Sequence, residues 1–229
     1  SCMNISSVRN QFPILSQEIQ GPPLCYLDSA ATAQVPQVVL DAMSEFETTA
    51  RSNVHRGMHQ LADTATQAYE DARATVRDFV TAKYAHEIVF TKNATEAINL
   101  VARSFGDEHV KAGDLIIVPI LEHHSNIVPW QQLALRTGCA VAWLGVDDKG
   151  QVDMDQYKAL LALGTVRMVA LSGQSNVLGT RLPLEEMIQL AHEADALTLV
   201  DASQLAAHHR IHVQDLDCDF LAFSGHKVY

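Results

Sequence analysis

The segment Leu197 to Lys227, LTLVDASQLAAHHRIHVQDLDCDFLAFSGHK, holds two short apolar runs. LTLVD (Leu197 to Asp201) ends on a carboxylate, and DFLAF (Asp219 to Phe223) leads into Ser224-Gly225-His226-Lys227. Runs this short, rich in Leu, Val and Phe, read as strands buried on both faces. Working back from them, the same unit recurs. EIVFT (Glu87 to Thr91), LIIV (Leu115 to Val118), AVAWL (Ala140 to Leu144) and RMVALS (Arg167 to Ser172) read as further strands. Between them, Thr95 to Ser104, Asn126 to Thr137, Asp155 to Leu163 and Pro183 to Ala194 carry apolar residues at helical spacing. Gly138 supplies a natural helix stop, and Glu185 and Glu186 sit at the positive end of the last helix. Strands alternating with helices predict an α/β fold with a mainly parallel sheet flanked by helices.

Two more helices precede this series, over Val38 to Ala50 and Leu61 to Val80. The second is expected to bury a stripe of Leu61, Ala65, Ala68, Ala72, Val76 and Phe79. Residues 1–35, with turn formers at Gly21-Pro22-Pro23, read as an irregular N-terminal segment ahead of a domain over 36–229.

The composition bounds the function. The chain has 229 residues, 48% hydrophobic and 19% charged, an ordinary globular balance. With 16 Lys plus Arg against 27 Asp plus Glu, the formal charge is −11, and that field opposes a nucleic-acid partner. No apolar run is long enough to span a bilayer, so no membrane role is expected. The N-terminus shows no basic-then-apolar signal segment, which predicts a cytoplasmic protein, and Ser1-Cys2 ahead of Met3 reads as a remnant. Cys2, Cys25, Cys139 and Cys218 are scattered without metal-like spacing and read as reduced, incidental thiols.

In a parallel sheet, ligand-binding groups collect beyond the strand C-termini. Five clusters stand there: Lys92-Asn93-Ala94-Thr95-Glu96, Glu122-His123-His124-Ser125-Asn126, Gln174-Ser175-Asn176, Asp201 with Gln204, and Ser224 to Lys227. Four of them have an ordinary structural explanation: an N-cap at Asn93 or Thr95, a surface His pair, an Asx turn at Asn176, an N-cap at Asp201; a lysine right after a buried strand, flanked by Ser and His, is unusual for a surface lysine. One ligand accounts for all five. A pyridine ring bearing an aldehyde and a phosphate needs a lysine for a Schiff base and a carboxylate opposite its ring nitrogen. It also needs donors for the phosphate and a flat group over the ring.

These clusters resemble those of the class V aminotransferase family, and within it the cysteine desulfurases of the SufS type, which also show selenocysteine lyase activity. The resemblance is carried by YLDSAATAQVP (Tyr26 to Pro36), NVHRGMHQLADTAT (Asn53 to Thr66), TKNATEAINLVA (Thr91 to Ala102), LEHHSNIVPWQ (Leu121 to Gln131), SNVLGT (Ser175 to Thr180), VDASQ (Val200 to Gln204) and DCDFLAFSGHK (Asp217 to Lys227). It implies the large domain of a fold-type-I pyridoxal 5'-phosphate enzyme. Lys227 would be the Schiff-base lysine and proton carrier, and His123 a ring-stacking acid/base. Asp201 would pair with the ring nitrogen and Gln204 with the phenolic oxygen. Thr95, Ser224 and His226 would hold the phosphate, with Asn176 near the ring and the substrate carboxylate. Ala30, Ala31, His55 and Arg56 would belong to the substrate side, the last two near the family's dimer interface.

The activity so implied converts L-cysteine, or L-selenocysteine, to L-alanine. The sulfur leaves as an enzyme persulfide for a sulfur-acceptor protein and iron–sulfur cluster assembly, on a homodimer. Two departures stand out: Ala94 replaces a hydroxyl that many relatives carry, and the sequence ends at Tyr229. Family members continue through the rest of the large domain and a C-terminal small domain, which hold the persulfide-forming cysteine. None of the four cysteines here matches it, so a truncated chain without turnover of its own is expected, with apolar surface left exposed.

Ser224 to Lys227 fits S-x-x-K of serine acyl-transfer enzymes, but leaves Asp201, His123 and Thr95 unexplained. His208, His209 and His212 could be zinc ligands, yet lack an acidic or cysteine partner, so no metal is expected. A different class V enzyme, or a non-catalytic binding or dimerising fragment, remains as an alternative.

Overall fold

A computed structural model describes residues 4–228; Ser1, Cys2, Met3 and Tyr229 lie outside the described residues. Ten α-helices follow one another in the described chain: α1 (Ile5–Arg9), α2 (Gln37–Thr49), α3 (Gln60–Val80), α4 (Ala94–Val101), α5 (Asp107–His109), α6 (Val128–Thr137), α7 (Met154–Leu161), α8 (Leu184–Glu193), α9 (Leu205–His208) and α10 (Val213–Leu216). Five strands alternate with the later helices: β1 (Leu115–Pro119), β2 (Ala140–Leu144), β3 (Val166–Ser172), β4 (Leu197–Asp201) and β5 (Phe220–Ala222). They form one sheet in the order β2-β1-β3-β4-β5, parallel throughout. The chain falls into two compact units. One holds the residues up to Phe79, Tyr84–Ile88 and the stretch from His226; the other holds Val80–Lys83 and Val89–Gly225. The sequence places its boundary near residue 35, whereas α2 and α3 group with the N-terminal stretch.

The sheet unit follows from its apolar alternation. Ile116, Val118, Met168, Ala170 and Leu199 join Ile98, Ala102, Trp130 and Leu133 of the flanking helices in one buried cluster. The intervening residues Ile117, Val169, Leu171 and Val200 project to the opposite face and are fully buried as well. Both faces of a parallel sheet need cover, and α7 and α8 contribute Tyr157, Met187, Ile188 and Ala191 to the buried set. α6 ends where the sequence predicts, at Gly138 in the left-handed region (φ 77°), whose N–H bonds Ala134 O at 2.9 Å. The short β5 is pinned to β4 by Asp219, whose Oδ2 accepts from Thr198 N (2.7 Å) and Thr198 Oγ1 (3.1 Å).

Four expectations are corrected. EIVFT is not a strand. Ala85–Glu87 forms a 3-10 turn, residues 88–91 pair with no strand of the described sheet, and Val89 is 64% exposed. The Ile88 carbonyl instead accepts from the Arg73 guanidinium. On α3 the expected stripe is buried only in part: Ala65 is buried and Val76 half-buried, but Leu61, Ala68, Ala72 and Phe79 are exposed, and Ala62, outside the stripe, is buried. The half-buried Tyr69 and Arg73 of the same helix pack on each other, the guanidinium 5.2 Å from the ring centre. The helix over Thr95 to Ser104 gives way after Val101 to a π-turn, Ala102–Gly106. Finally, the irregular N-terminal segment contains α1 and a 3-10 turn at Pro13–Ser16.

The first unit buries little beyond alanines and leaves Val38, Met43 and Met58 exposed. Cys25 is exposed, Cys139 buried and Cys218 half-buried, all three free thiols. Among the described residues, no helix is long and apolar enough to cross a membrane, and no group of three or more His, Cys, Asp or Glu could hold a metal ion.

Leu133 is fully buried between α6 and the π-turn, where its side chain fills the space beside Gly106. Leu133→Ala should therefore lower unfolding stability by about 2–5 kcal/mol, as for other buried leucines. Equilibrium denaturation in urea measures this.

Candidate active site

Parallel pairing leaves every strand C-terminus on one edge of the sheet; β3 and β4 end there in Ser172 and Asp201, and β1 and β5 are followed within three residues by Glu122 and Ser224. The order β2-β1-β3-β4-β5 reverses direction between β1 and β3, so a crevice opens between these two strand ends. A small cavity lies at this point, lined by Pro119, Leu121, Glu122, Ser172, Ser175 and Thr180 among others.

Asp201 is the last residue of β4, in register with Ser172 of β3, and only 4% exposed. Its Oδ1 accepts from Ser203 N (3.0 Å) and Ser203 Oγ (2.7 Å). Among the described residues no Lys, Arg or His pairs with it. A buried carboxylate without a cation is costly, so this is a place for a positively charged group from outside the chain. Gln204, also buried, follows at the N-terminus of α9.

After β1, His123 begins a 3-10 turn (His124–Asn126) and is exposed. Its Nδ1 accepts from Ser125 N at 3.2 Å and lies 2.8 Å from Ser125 Oγ. A backbone N–H aimed at Nδ1 fits the neutral ring with its hydrogen on Nε2.

The start of α4 is capped by Asn93, whose Oδ1 accepts from Glu96 N at 2.9 Å; Thr95 is exposed in the first turn. The buried Ser224 Oγ accepts from Ala94 N at 3.0 Å, tying the end of β5 to this helix start. Its hydroxyl hydrogen stays available to donate. A helix N-terminus bordered by two hydroxyls suits an anion.

Asn176 is exposed in the turn after β3, where the side chain that accepts from the turn's backbone is Ser175 Oγ, from Val177 N and Leu178 N. The Asx turn considered at Asn176 is thus made by its neighbour.

Thr95, His123, Asn176, Asp201, Gln204 and Ser224 all belong to the sheet unit: Asp201 ends β4, His123, Asn176, Gln204 and Ser224 follow strands, and Thr95 lies at the start of α4. Lys227, His226, Ala30, Ala31, His55 and Arg56 belong to the other unit. There His226 O accepts from Ala33 N (2.9 Å) and Thr32 Oγ1 (3.3 Å), and the half-buried Lys227 closes the same 3-10 turn. Ala31 N bonds Asp28 O at 3.0 Å, beside Ala30. His55, in the left-handed region (φ 66°), lies 3.0 Å from Glu70 Oε1, edge-on to Tyr69; Arg56 is exposed.

The structure also brings forward residues that the sequence reading passed over. Glu122, directly before His123, is 8% exposed and bonds Ser172 N (2.7 Å) and Asn126 Nδ2 (2.9 Å). Burial is the main cause that raises its pKa from 4.5 to about 8; the two hydrogen bonds oppose the rise and the Asp201 charge adds to it. The signal was available: an acid just past an apolar strand, the criterion that singled out Asp201.

The sequence profile of the family described as Aminotransferase class-V matches residues 25–229. The chain belongs to the class V aminotransferase family. Among its curated class V relatives, a cysteine desulfurase of Synechococcus elongatus is 48% identical over 226 residues, 99% of this chain and 36% of that protein. A cysteine desulfurase of Escherichia coli is 47% identical over 226 residues, 99% of this chain and 55% of that protein. Among solved structures, the apo cysteine desulfurase of Thermococcus onnurineus NA1 is similar with a TM-score of 0.90 and 39% identity, over 100% of this chain and 55% of that one. The cysteine desulfurase CsdA of Escherichia coli gives 0.86 and 38%, over 99% and 55%. The chain thus spans between about a third and just over half the length of these relatives.

A carboxyl whose pKa is raised on folding makes the folded state bind a proton that the unfolded state has released. Stability contributed by Glu122 is therefore full below about 4.5 and falls as the pH rises to about 8. E122Q should flatten this part of the stability–pH curve, as read by urea denaturation at a series of pH values.

Proposed function

We propose that this chain carries the cofactor-binding residues of a pyridoxal-phosphate-dependent cysteine desulfurase. The observation that carries the reading is Asp201: a buried carboxylate at the end of β4, with one oxygen bonded by Ser203 and no cation beside it among the described residues. A protonated pyridine nitrogen is a cation of the right size and flatness for that edge. The helix start at Thr95, with the Ser224 hydroxyl beside it, fits the phosphate of the same molecule. Similarity to cysteine desulfurases over nearly the whole chain supports this choice within the family, as does a solved neighbour described as SspA in complex with cysteine, 29% identical.

When bound, pyridoxal phosphate supplies an aldehyde for a lysine amine and a pyridinium ring that draws electrons from the substrate Cα. Asp201 keeps the ring nitrogen protonated, since an opposite charge a few ångströms away raises such a pKa by about one to three units. Gln204 donates to the ring's phenolic oxygen. Thr95, Ser224 and His226 hold the phosphate. Lys227 would be the amine that holds the aldehyde and the group that carries the proton of the substrate Cα. His123, whose Nδ1 accepts from Ser125 N, would be the flat group over the ring and a proton donor or acceptor to the substrate. Asn176 orients the ring and the substrate carboxylate, while Ala30, Ala31, His55 and Arg56 form the substrate side.

The substrate is L-cysteine, with L-selenocysteine the alternative. A thiolate of the whole protein would attack the substrate sulfur, forming the S–S bond of a persulfide as the Cβ–S bond breaks; the electron pair of that bond would stay with the substrate carbons, and protonation at Cβ, with return of the Cα proton, would give L-alanine. A sulfur-acceptor protein then receives the sulfur for iron–sulfur cluster assembly, in the cytoplasm and on a homodimer.

Incubation with pyridoxal phosphate, borohydride reduction and peptide mass analysis test the reading. A single adduct on Lys227, strongly reduced in Asp201→Ala, is the expected outcome. Adducts scattered over other lysines, or unchanged in Asp201→Ala, would contradict it.

A further inference from the structure

Beneath the exposed His123 runs a buried polar chain that the sequence reading did not use. Trp130, fully buried, donates from Nε1 to Asn126 Oδ1 at 2.9 Å. Asn126, also fully buried, donates from Nδ2 to Glu122 Oε2 at 2.9 Å. Glu122 Oε1 accepts from Ser172 N at 2.7 Å. The direction of this chain is fixed at both ends by groups that can only donate. The indole N–H has no acceptor capacity, so Asn126 must turn its oxygen to Trp130 and its amide nitrogen to Glu122. Ser172 presents a backbone N–H. The residue between Asn126 and Ser172 must therefore accept at both ends, and a carboxyl does so in either protonation state, whereas an amide does not.

The chain spans the crevice between β1 and β3. Glu122 and Asn126 bracket the turn that holds His123, and Asn126 N also bonds His123 O at 2.8 Å. The other anchor, Ser172, is in register with Asp201 on the neighbouring strand. We propose that Glu122 is a positioning residue for His123: it locks the His123 turn to the end of β3, beside Asp201, and so fixes the ring whose Nδ1 accepts from Ser125. Burying a carboxyl for this purpose is costly, and a purely structural staple at the same place would be served as well by an apolar contact. What the carboxyl adds is a defined orientation of the turn.

The inference rests on reading His123 as the residue that faces the cofactor, but its test uses the chain without cofactor. The probe is the nitrogen-15 NMR signal of the His123 imidazole, assigned by its loss in His123→Asn, together with the Trp130 indole N–H. In the wild-type chain one tautomer, with hydrogen on Nε2, should account for the His123 signal. E122Q sets an amide donor against the Asn126 donor. It should shift the Trp130 indole resonance and turn the His123 signal into a mixture of both tautomers. W130F/E122Q removes the indole donor, so Asn126 can reverse and offer its oxygen to the new amide; the single tautomer should return.

Two results would overturn the proposal. One is an E122Q chain whose indole resonance moves while the His123 tautomer does not. The other is a double variant with no recovery, including the case where E122Q is unfolded and the double variant is too. Failure of the cofactor reading looks different: the Lys227 adduct is missing while the wild-type His123 signal keeps its single tautomer.

Discussion

The in-register parallel pairing of β3 with β4, which sets Ser172 beside Asp201, is the constraint on which the site depends. Parallel strands bring their C-termini to one edge, and that edge is where a chain can place polar groups without breaking its core. A shift of one residue in this pairing would turn Asp201 into the opposite layer, where Val169, Leu171 and Val200 are packed. The apolar alternation along β3 and β4 therefore protects the position of a charge that is itself unfavourable to bury. Core and site share one cause.

From that edge the other groups take their places by short connections. The Ser224 hydroxyl meets the first N–H of α4, so that the end of β5 and the beginning of a helix form one donor-rich corner. Glu122 reaches from the end of β1 to Ser172, closing the crevice where the strand order reverses. Two acids thus lie near each other at the sheet edge with different environments. Asp201 is held on one oxygen by Ser203, while burial favours the neutral form of Glu122.

Much of this was legible in the sequence. The strands LIIV, RMVALS and LTLVD appear where their apolar runs lie, because a strand buried on both faces has a short and continuous signature; AVAWL also forms a strand, at the sheet's edge with Ala140 and Trp143 exposed. The helix stop at Gly138 was legible for a local reason, the left-handed conformation that glycine adopts freely. What misled was apolar composition without a partner. EIVFT has the residues of a strand, but a strand is made by a neighbour's hydrogen bonds, and no strand of the described sheet supplies them. On α3, periodicity gave a helix but only part of its buried face: Ala65 of the apolar stripe is buried, whereas Leu61, Ala68, Ala72 and Phe79 are exposed. Asp201 stood out because it ends a strand in the middle of an apolar run. Glu122 did not, since the adjacent histidines drew attention to themselves, and the link to Ser172 across fifty positions of sequence is a fact of the fold.

The central claim, that Asp201 waits for the protonated nitrogen of an aromatic ring, is tested most directly by binding pyridoxal phosphate labelled with nitrogen-15 in its ring. The chemical shift of that nitrogen is then recorded in the wild-type chain and in Asp201→Asn. The account requires a pyridinium signal in the wild type at neutral pH and an unprotonated pyridine signal in the variant. An unprotonated ring in the wild type, or a pyridinium that survives Asp201→Asn, would contradict it.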